Sequence, residues 1–178
     1  RYTKLMAEPS RDIFLAERSH LLALGYQMLG ELAAAEDIVQ ETWLRWNEAD
    51  VDQIRSHRAW LTSVATRLAI DQLRSARQRR ETYTGTWLPE PVLEQEAREE
   101  PSAMMEMAQR CELALLWALE RLNEVERAAF LLRRVFDMDY ADIAGVLNRS
   151  EAACRQLVSR AGRRIREETP SYASTAEQ

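Results

Sequence analysis

The run from His57 to Arg80, HRAWLTSVATRLAIDQLRSARQRR, constrains the fold more than any other stretch of the chain. At about 100° per residue, Leu61, Val64, Ala65 and Leu68 fall on one side of a helix, and Trp60, Ser63, Arg67, Asp71, Arg74 and Gln78 fall on the opposite arc. Such a helix has to bury its apolar stripe against other elements. The opposite arc leaves two readings open when the helix is taken alone. It is either a solvated charged face or a surface that grips phosphates and stacks on an unpaired base.

Composition bounds the partners of that helix. With only five Gly and five Pro in 178 residues, few β-branched runs and 46% hydrophobic content, an all-α fold with one ordinary core or two small ones is predicted. No 18-residue apolar segment is present, so no membrane span is expected. The chain opens at Arg1, without an initiator Met or a secretory pattern, which suggests a piece of a longer protein. Cys111 and Cys154 lack C-x-x-C spacing and the histidines are His20 and His57 alone. Neither a metal site nor a disulfide framework is therefore expected, and a reducing cytoplasm is the expected location. No nucleophile–base pair, Gly-rich phosphate loop or paired metal carboxylates stand out, so no catalytic residue and no cofactor is expected.

Net charge is −5, but it is unevenly distributed. Glu90 to Glu106 holds six Glu and one Arg and so accounts for the whole of it. Glu31 to Asp52 is acidic with Arg45 as its one base, whereas Arg55 to Arg80 has seven Arg against Asp71. Segregation of this kind points to two partners, one basic and one anionic.

In chain order, Ser10 is predicted to cap a first helix that stops at Gly30. A second helix, about 33–47, carries Ile38, Val39, Trp43 and Trp46 beside Glu36, Asp37, Gln40 and Glu41, and its two tryptophans read as core. Glu48 to Ser56 reads as a loop or short irregular turn leading into the arginine helix, which completes a helical domain over 1–80. From 81 to 101 the periodicity fails and Gly85, Pro89, Pro91 and Pro101 mark a linker, whose centre, Trp87-Leu88-Pro89-Glu90-Pro91, is too apolar for a purely solvated tether. A second domain is predicted over 102–168 and a disordered tail over 169–178.

Within the second domain a helix from Ser102 closes near Leu122, and Asn123 with Glu126 forms a capping box for the next. Asp139 is predicted to cap a short helix, Tyr140 to Leu147; Asn148 and Arg149 turn the chain, and Ser150 caps a last helix reaching about Glu167. On that last helix Cys154, Leu157, Val158, Ala161 and Ile165 share one side, while Arg155, Gln156, Ser159, Arg160 and Arg163 lie opposite. This is a helix-turn-helix pattern, with Arg and Gln placed to read base edges and Arg149 and Arg164 flanking where phosphates would lie. A helical hairpin with a basic surface is the alternative.

Together these residues resemble the bacterial sigma factors of the extracytoplasmic-function (ECF) type. Ala35-Glu36-Asp37-Ile38-Val39-Gln40-Glu41-Thr42-Trp43 is similar to the segment that grips the clamp helices of the largest catalytic subunit of RNA polymerase, which implies polymerase contacts by Asp37, Gln40, Glu41 and Trp43. Arg58-Ala59-Trp60-Leu61 and Leu68-Ala69-Ile70-Asp71-Gln72-Leu73-Arg74 resemble the part that melts and reads the minus-ten element, implying roles for Trp60, Ser63, Arg67, Asp71, Arg74 and Arg77. Leu122-Asn123-Glu124-Val125-Glu126-Arg127, Tyr140-Ala-Asp-Ile-Ala and Ser150-Glu-Ala resemble the reader of the minus-thirty-five element, implying Arg149, Ser150, Arg155, Gln156, Ser159, Arg160, Arg163 and Arg164. Arg67 is a departure, since many members have Asn there. The linker is similar to that of a subgroup with an added C-terminal SnoaL-like α+β domain, absent from this chain. The apolar Trp-Leu pair between prolines, with an acidic run behind it, leads to the expectation that Trp87, Leu88, Pro89 and Pro91 dock on the sigma regions and, in a longer protein, on that domain.

Two other functions compete with this one. A helix-turn-helix repressor or activator binding duplex DNA unaided would leave the acidic 36–41 face and the second basic helix without a task, and a helical interaction protein would not touch DNA.

Overall fold

The computed structural model describes residues 8–82, 115–116 and 118–168. The linker motif Trp87 to Pro91, most of the helix predicted from Ser102 and the tail 169–178 lie outside the described residues. Among those described there is no strand, as an all-α fold requires. The helices whose bounds fall among the described residues are α1 Glu8–Leu29, α2 Leu32–Glu48, α3 His57–Thr82, α4 Glu124–Arg134, α5 Tyr140–Leu147 and α6 Glu151–Glu168.

Helices α1 and α2 form a tight hairpin. Gly30 ends α1 with φ 74°, in the left-handed region that glycine enters without strain, and its amide donates to the Tyr26 carbonyl at 2.7 Å. Gly25 permits the close crossing, because a Cβ there would stand 3.1 Å from Cα and Cβ of the buried Ala35. From α2, Ala34, Ala35, Ile38, Val39, Thr42 and Trp46 are buried, the spacing expected of one helical face. Thr42 donates its hydroxyl proton to the Ile38 carbonyl at 2.7 Å, which lets a polar residue sit in the core. Ser10 does not cap α1. It lies inside the helix, whose described residues run from Glu8. Ser10 instead offers its main-chain carbonyl to the indole N–H of Trp46 at 2.9 Å.

A 3₁₀ turn, Val51–Gln53, carries the chain into α3, where Ser56 Oγ accepts from the Ala59 amide at 3.3 Å. Leu61, Ala65, Ala69 and Ile70 are buried along α3, together with Thr62 and Thr66, while Val64 and Leu68 are half-buried. The buried stripe is thus turned from the predicted one. Trp60 is not the freely exposed indole of the sequence reading. The turn folds the start of α3 back over α2, and the Trp60 ring lies half-buried with its centroid 5.4 Å from that of Trp46.

After the helical residues Leu115, Leu116, Ala118 and Leu119, Asn123 closes the capping box of α4. Its Oδ1 accepts from the amides of Val125 (3.1 Å) and Glu126 (2.8 Å), and the Glu126 carboxylate accepts the Asn123 amide at 3.4 Å. Asp139 occupies the N-cap position of α5 but its side chain bonds no amide there; the Asp139 carbonyl accepts from Ile143. Asn148, φ 51°, ends α5 in the left-handed conformation, and Ser150 Oγ accepts from the Ala153 amide at 3.2 Å to start α6. The helix-turn-helix follows directly from these local bonds.

One apolar cluster runs through both halves of the chain. Leu21, Leu24, Met28, Leu61 and Ile70 belong to it together with Leu119, Leu131, Leu132, Ile143 and Val146. His20 on α1 meets Phe136, after α4, edge-on at 4.9 Å.

Candidate nucleic-acid interface

Helix α6 places its residues as the periodicity predicts. Cys154, Leu157, Val158 and Ala161 are buried, while Arg155, Gln156, Ser159, Arg160 and Arg163 are exposed. Burial raises the Cys154 thiol pKa, which keeps it protonated and inert. Arg155 is held in position: its Nη2 donates to Glu151 Oε2 at 2.6 Å and its guanidinium sits 5.0 Å from the centre of the Tyr140 ring. Arg133 reaches the same ring at 5.2 Å, so Tyr140 lies between two cations. Arg163 stands 3.8 Å from Glu167. Arg149 is exposed in the turn, and Ser150 uses its Oγ as a cap. Arg164 lies at the edge of the exposed arc and turns inward, donating to the buried Glu126 carboxylate at 2.8 Å.

On α2, Glu36, Asp37 and Gln40 are exposed, and Glu41 is half-buried and bonded to Arg45 at 3.0 Å. Trp43 is half-buried, edge-on to Phe14 at 4.8 Å, so it supports this face from beneath. Between α1 and α2 runs a groove of about 390 Å³ whose lining includes Arg11, Leu15, Arg18, Gln40 and Trp43. Leu15 (50% exposed) borders it and Leu44 (57%) lies one turn beyond Gln40. Sequence reasoning passed over both leucines; for Leu44 a large apolar residue on the otherwise acidic arc of α2 was the available signal, whereas Leu15 lies between Arg11 and Arg18 on α1.

The arginines of α3 make contacts that the period of the helix does not specify. Arg67, Asp71, Arg74 and Arg77 are exposed and Ser63 is half-buried, and the three arginines bond toward the second half of the chain. Arg67 donates from Nε to the Val146 carbonyl (3.0 Å) and from Nη2 to the Gly145 carbonyl (2.9 Å), at the C-terminal end of α5. Arg74 donates to Glu124 at 3.0 Å, and Arg77 lies 3.9 Å from the same carboxylate. Partial burial pushes the Glu124 pKa up, but its own main-chain amide, the Arg74 hydrogen bond and the charges of Arg74 and Arg77 outweigh that and hold it below the usual range. A cleft of about 260 Å³ brings Arg67, Asp71 and Arg74 together with Arg149 of the helix-turn-helix turn. The periodicity of α3 alone could not reveal that meeting.

Arg127 was also missed. It is buried, and donates to the Met28 carbonyl at 2.6 Å and the Leu119 carbonyl at 2.9 Å, with Glu120 3.5 Å away. Among the described residues no three His, Cys, Asp or Glu side chains gather so as to hold a metal ion, and no helix is long and apolar enough to cross a membrane.

Residues 13–80 match the model of Sigma-70 region 2, and residues 112–165 that of Sigma-70 region 4. The ECF RNA polymerase sigma factor SigL of Mycobacterium tuberculosis is 33% identical over 143 residues, which cover 79% of this chain and 77% of SigL. The chain belongs to the ECF sigma factor family. SigJ of Mycobacterium tuberculosis is more similar, 49% identical over 152 residues, or 85% of this chain and 48% of SigJ. This ECF chain spans about half the length of several of the curated relatives it matches. The crystal structure of SigJ superposes with a TM-score of 0.63 at 40% identity, covering 89% of this chain and 53% of that one. The sigma factor RpoE from Bartonella quintana, crystallised with the anti-sigma factor NepR, shares the fold with a TM-score of 0.67 at 21% identity over 90% of this chain and 96% of that one.

Proposed function

We propose that this chain is the promoter-recognising part of a transcription initiation factor, acting in the cytoplasm by binding alone. Region 2 spans 1–80 and region 4 spans 102–168. The observation that carries the reading is α6: a capped helix after a left-handed turn, with Cys154, Leu157, Val158 and Ala161 buried and Arg155, Gln156, Ser159 and Arg160 exposed on the opposite arc. Such a helix lies in the major groove, reading the minus-thirty-five element, with Arg149, Ser150, Arg163 and Arg164 toward the backbone.

Helix α2 meets core RNA polymerase through Asp37, Gln40 and Glu41, backed by Trp43, on the clamp helices of the largest subunit. Acidic residues facing a basic partner would steer that assembly. Helix α3 supplies Ser63, Arg67, Asp71, Arg74 and Arg77 to the minus-ten element. Trp60 borders the melted region, and the loop before α3 takes an extruded base, for an unstacking cost of a few kcal/mol that stacking and phosphate contacts must offset. In the longer protein, Trp87, Leu88, Pro89 and Pro91 dock on the sigma regions and on a SnoaL-like domain.

A gel shift with reconstituted components tests the proposal. Specific binding of promoter DNA that needs core polymerase is the expected result. Specific binding by the chain alone would make it a repressor or activator, and no binding in either case would make it an interaction protein.

A further inference from the structure

A cavity of about 530 Å³ lies between the end of α1, the second half of α3 and the start of α4, and neither DNA recognition nor polymerase binding accounts for it. Its size is within the roughly 300–1,000 Å³ of small-molecule sites. Two kinds of surface meet there. Leu29, Leu73, Ala76 and Leu122 form an apolar wall, and Arg77, Arg121, Arg127 and Arg164 bring cations. Among the described residues assigned to DNA, only Arg77 of α3 and Arg164 of α6 line it.

The cations differ in how they are held. Arg127 is 5% exposed and fixed by the Met28 and Leu119 carbonyls, so its charge is screened by little water. Arg77 and Arg121 are exposed, where an anion arriving from solvent meets them first. Arg164 bonds Glu126 yet keeps 49% of its side chain exposed. Glu120 and Glu124 are the acids of the lining, and with Glu126 behind Arg164 three carboxylates stand against four guanidinium groups. Asn123 and Glu124 also begin α4, so the positive end of that helix dipole opens on the cavity.

Three features have to be matched by one ligand. A bare anion would use the cations and leave the apolar wall in water. A lipid phosphate would offer no donor to Glu120 and Glu124. A nucleoside polyphosphate satisfies all three, with phosphates for the guanidinium groups, a flat ring for the leucines, and ring N–H and sugar O–H groups for the carboxylates. We propose that this cavity is a nucleotide site, which binds a nucleoside triphosphate with its phosphates on the arginines and its base against Leu73, Ala76 and Leu122. The site goes beyond promoter recognition and does not require it.

The test is calorimetric titration of the 178-residue chain with ATP, pyrophosphate and adenosine as probes. ATP should bind about tenfold more tightly than either of the others. Equal affinity for pyrophosphate would reduce the cavity to a bare anion site, equal affinity for adenosine would remove the arginines from it, and no binding of ATP would overturn the proposal outright. Arg121→Glu should weaken ATP about tenfold, and Ala76→Leu, which narrows the cavity from α3, should weaken it as well. Unchanged affinity in both variants would place ATP elsewhere. Arg79→Glu makes the same charge change at an exposed position of α3 outside the lining and should leave ATP affinity as it was. An equal loss there would mean a diffuse effect of charge. Amide shifts in NMR spectra locate the probe: movement at Leu29, Ala76, Leu122 and Asn123 is expected, and movement confined to 155–163 would mean that ATP only imitates DNA on α6. Polymerase and promoter enter none of these measurements, so a failure of the sigma assignment would be seen separately in the gel shift.

Discussion

Arg127 Nη1 donates to the carbonyl of Met28 at 2.6 Å, joining the first turn of α4 to the last turn of α1 across 99 positions of sequence. With only 5% of the residue exposed, this charge has no water to fall back on and depends on the Met28 and Leu119 carbonyls and on Glu120.

Arg127→Ala is therefore expected to lower the unfolding free energy by about 3 kcal/mol, since it orphans two buried carbonyls and empties a packed site. Urea titration followed by circular dichroism measures it. A loss below about 0.5 kcal/mol would mean that water replaces the guanidinium.

Asp37→Arg with Glu41→Arg should abolish pull-down of core polymerase while leaving the fold intact. Asp37 is exposed and Glu41 gives up only its pair with Arg45, so stability should change by less than about 1 kcal/mol. Normal retention of core by the double variant would remove α2 from the interface.

Arg155 and Arg160 should differ in how they fail. Arg160→Ala should weaken promoter binding by about 1–3 kcal/mol if the guanidinium takes a bidentate base contact, and should relax the preference at one base pair. Arg155 is preorganised by Glu151 and Tyr140, so Glu151→Gln should weaken binding through Arg155 even though Glu151 itself repels DNA. Titrations against single-base promoter variants would tell; tighter binding by Glu151→Gln would mean that Glu151 acts only by repulsion.

Stability should fall as pH drops from about 6.5. Burial, and then the charge of Arg58, lower the pKa of His20, against a smaller opposing effect of Glu17. The folded state thus favours the neutral ring, which bonds Thr62 at 3.1 Å and meets Phe136. The unfolded chain protonates first, near pH 6.5, so stability declines from there until the folded pKa is passed. Glu124 has its folded pKa lowered too, and as an acid its contribution is lost only in the lower range below about pH 4.3. Urea midpoints between pH 7.5 and 5 should decline in wild type and flatten in His20→Gln; parallel curves would clear His20 of the effect.

The parts that were legible in the sequence are those governed by neighbours in sequence. Asn123, Ser150 and Gly30 end or begin helices through bonds no more than four residues long, and the two arcs of α6 follow from its period alone. The contacts of Trp60 and Arg67 are not legible in the sequence because their partners lie far off, Trp46 beyond a turn and Val146 79 positions away. Helical periodicity says which side of α3 is apolar, and it is silent about what a polar side faces. The acidic face of α2 is visible in the sequence, whereas the exposure of Leu15 and Leu44 depends on how α1 and α2 pack, which the period of neither helix fixes. The burial of Arg127 is not legible in the sequence, since nothing local marks an arginine for burial.

Glu126 has two tasks for one carboxylate: it completes the capping box with Asn123 and it receives Arg164 from the far end of the helix-turn-helix. Neither task can be altered alone. A neutral residue at 126 would release the start of α4 and the inner edge of α6 in the same step, and a new residue at 164 would face a buried negative charge. Positions 123, 126 and 164 are thus expected to be inherited as a set, so that among natural variants a change at any one of them should arrive with a matching change at another.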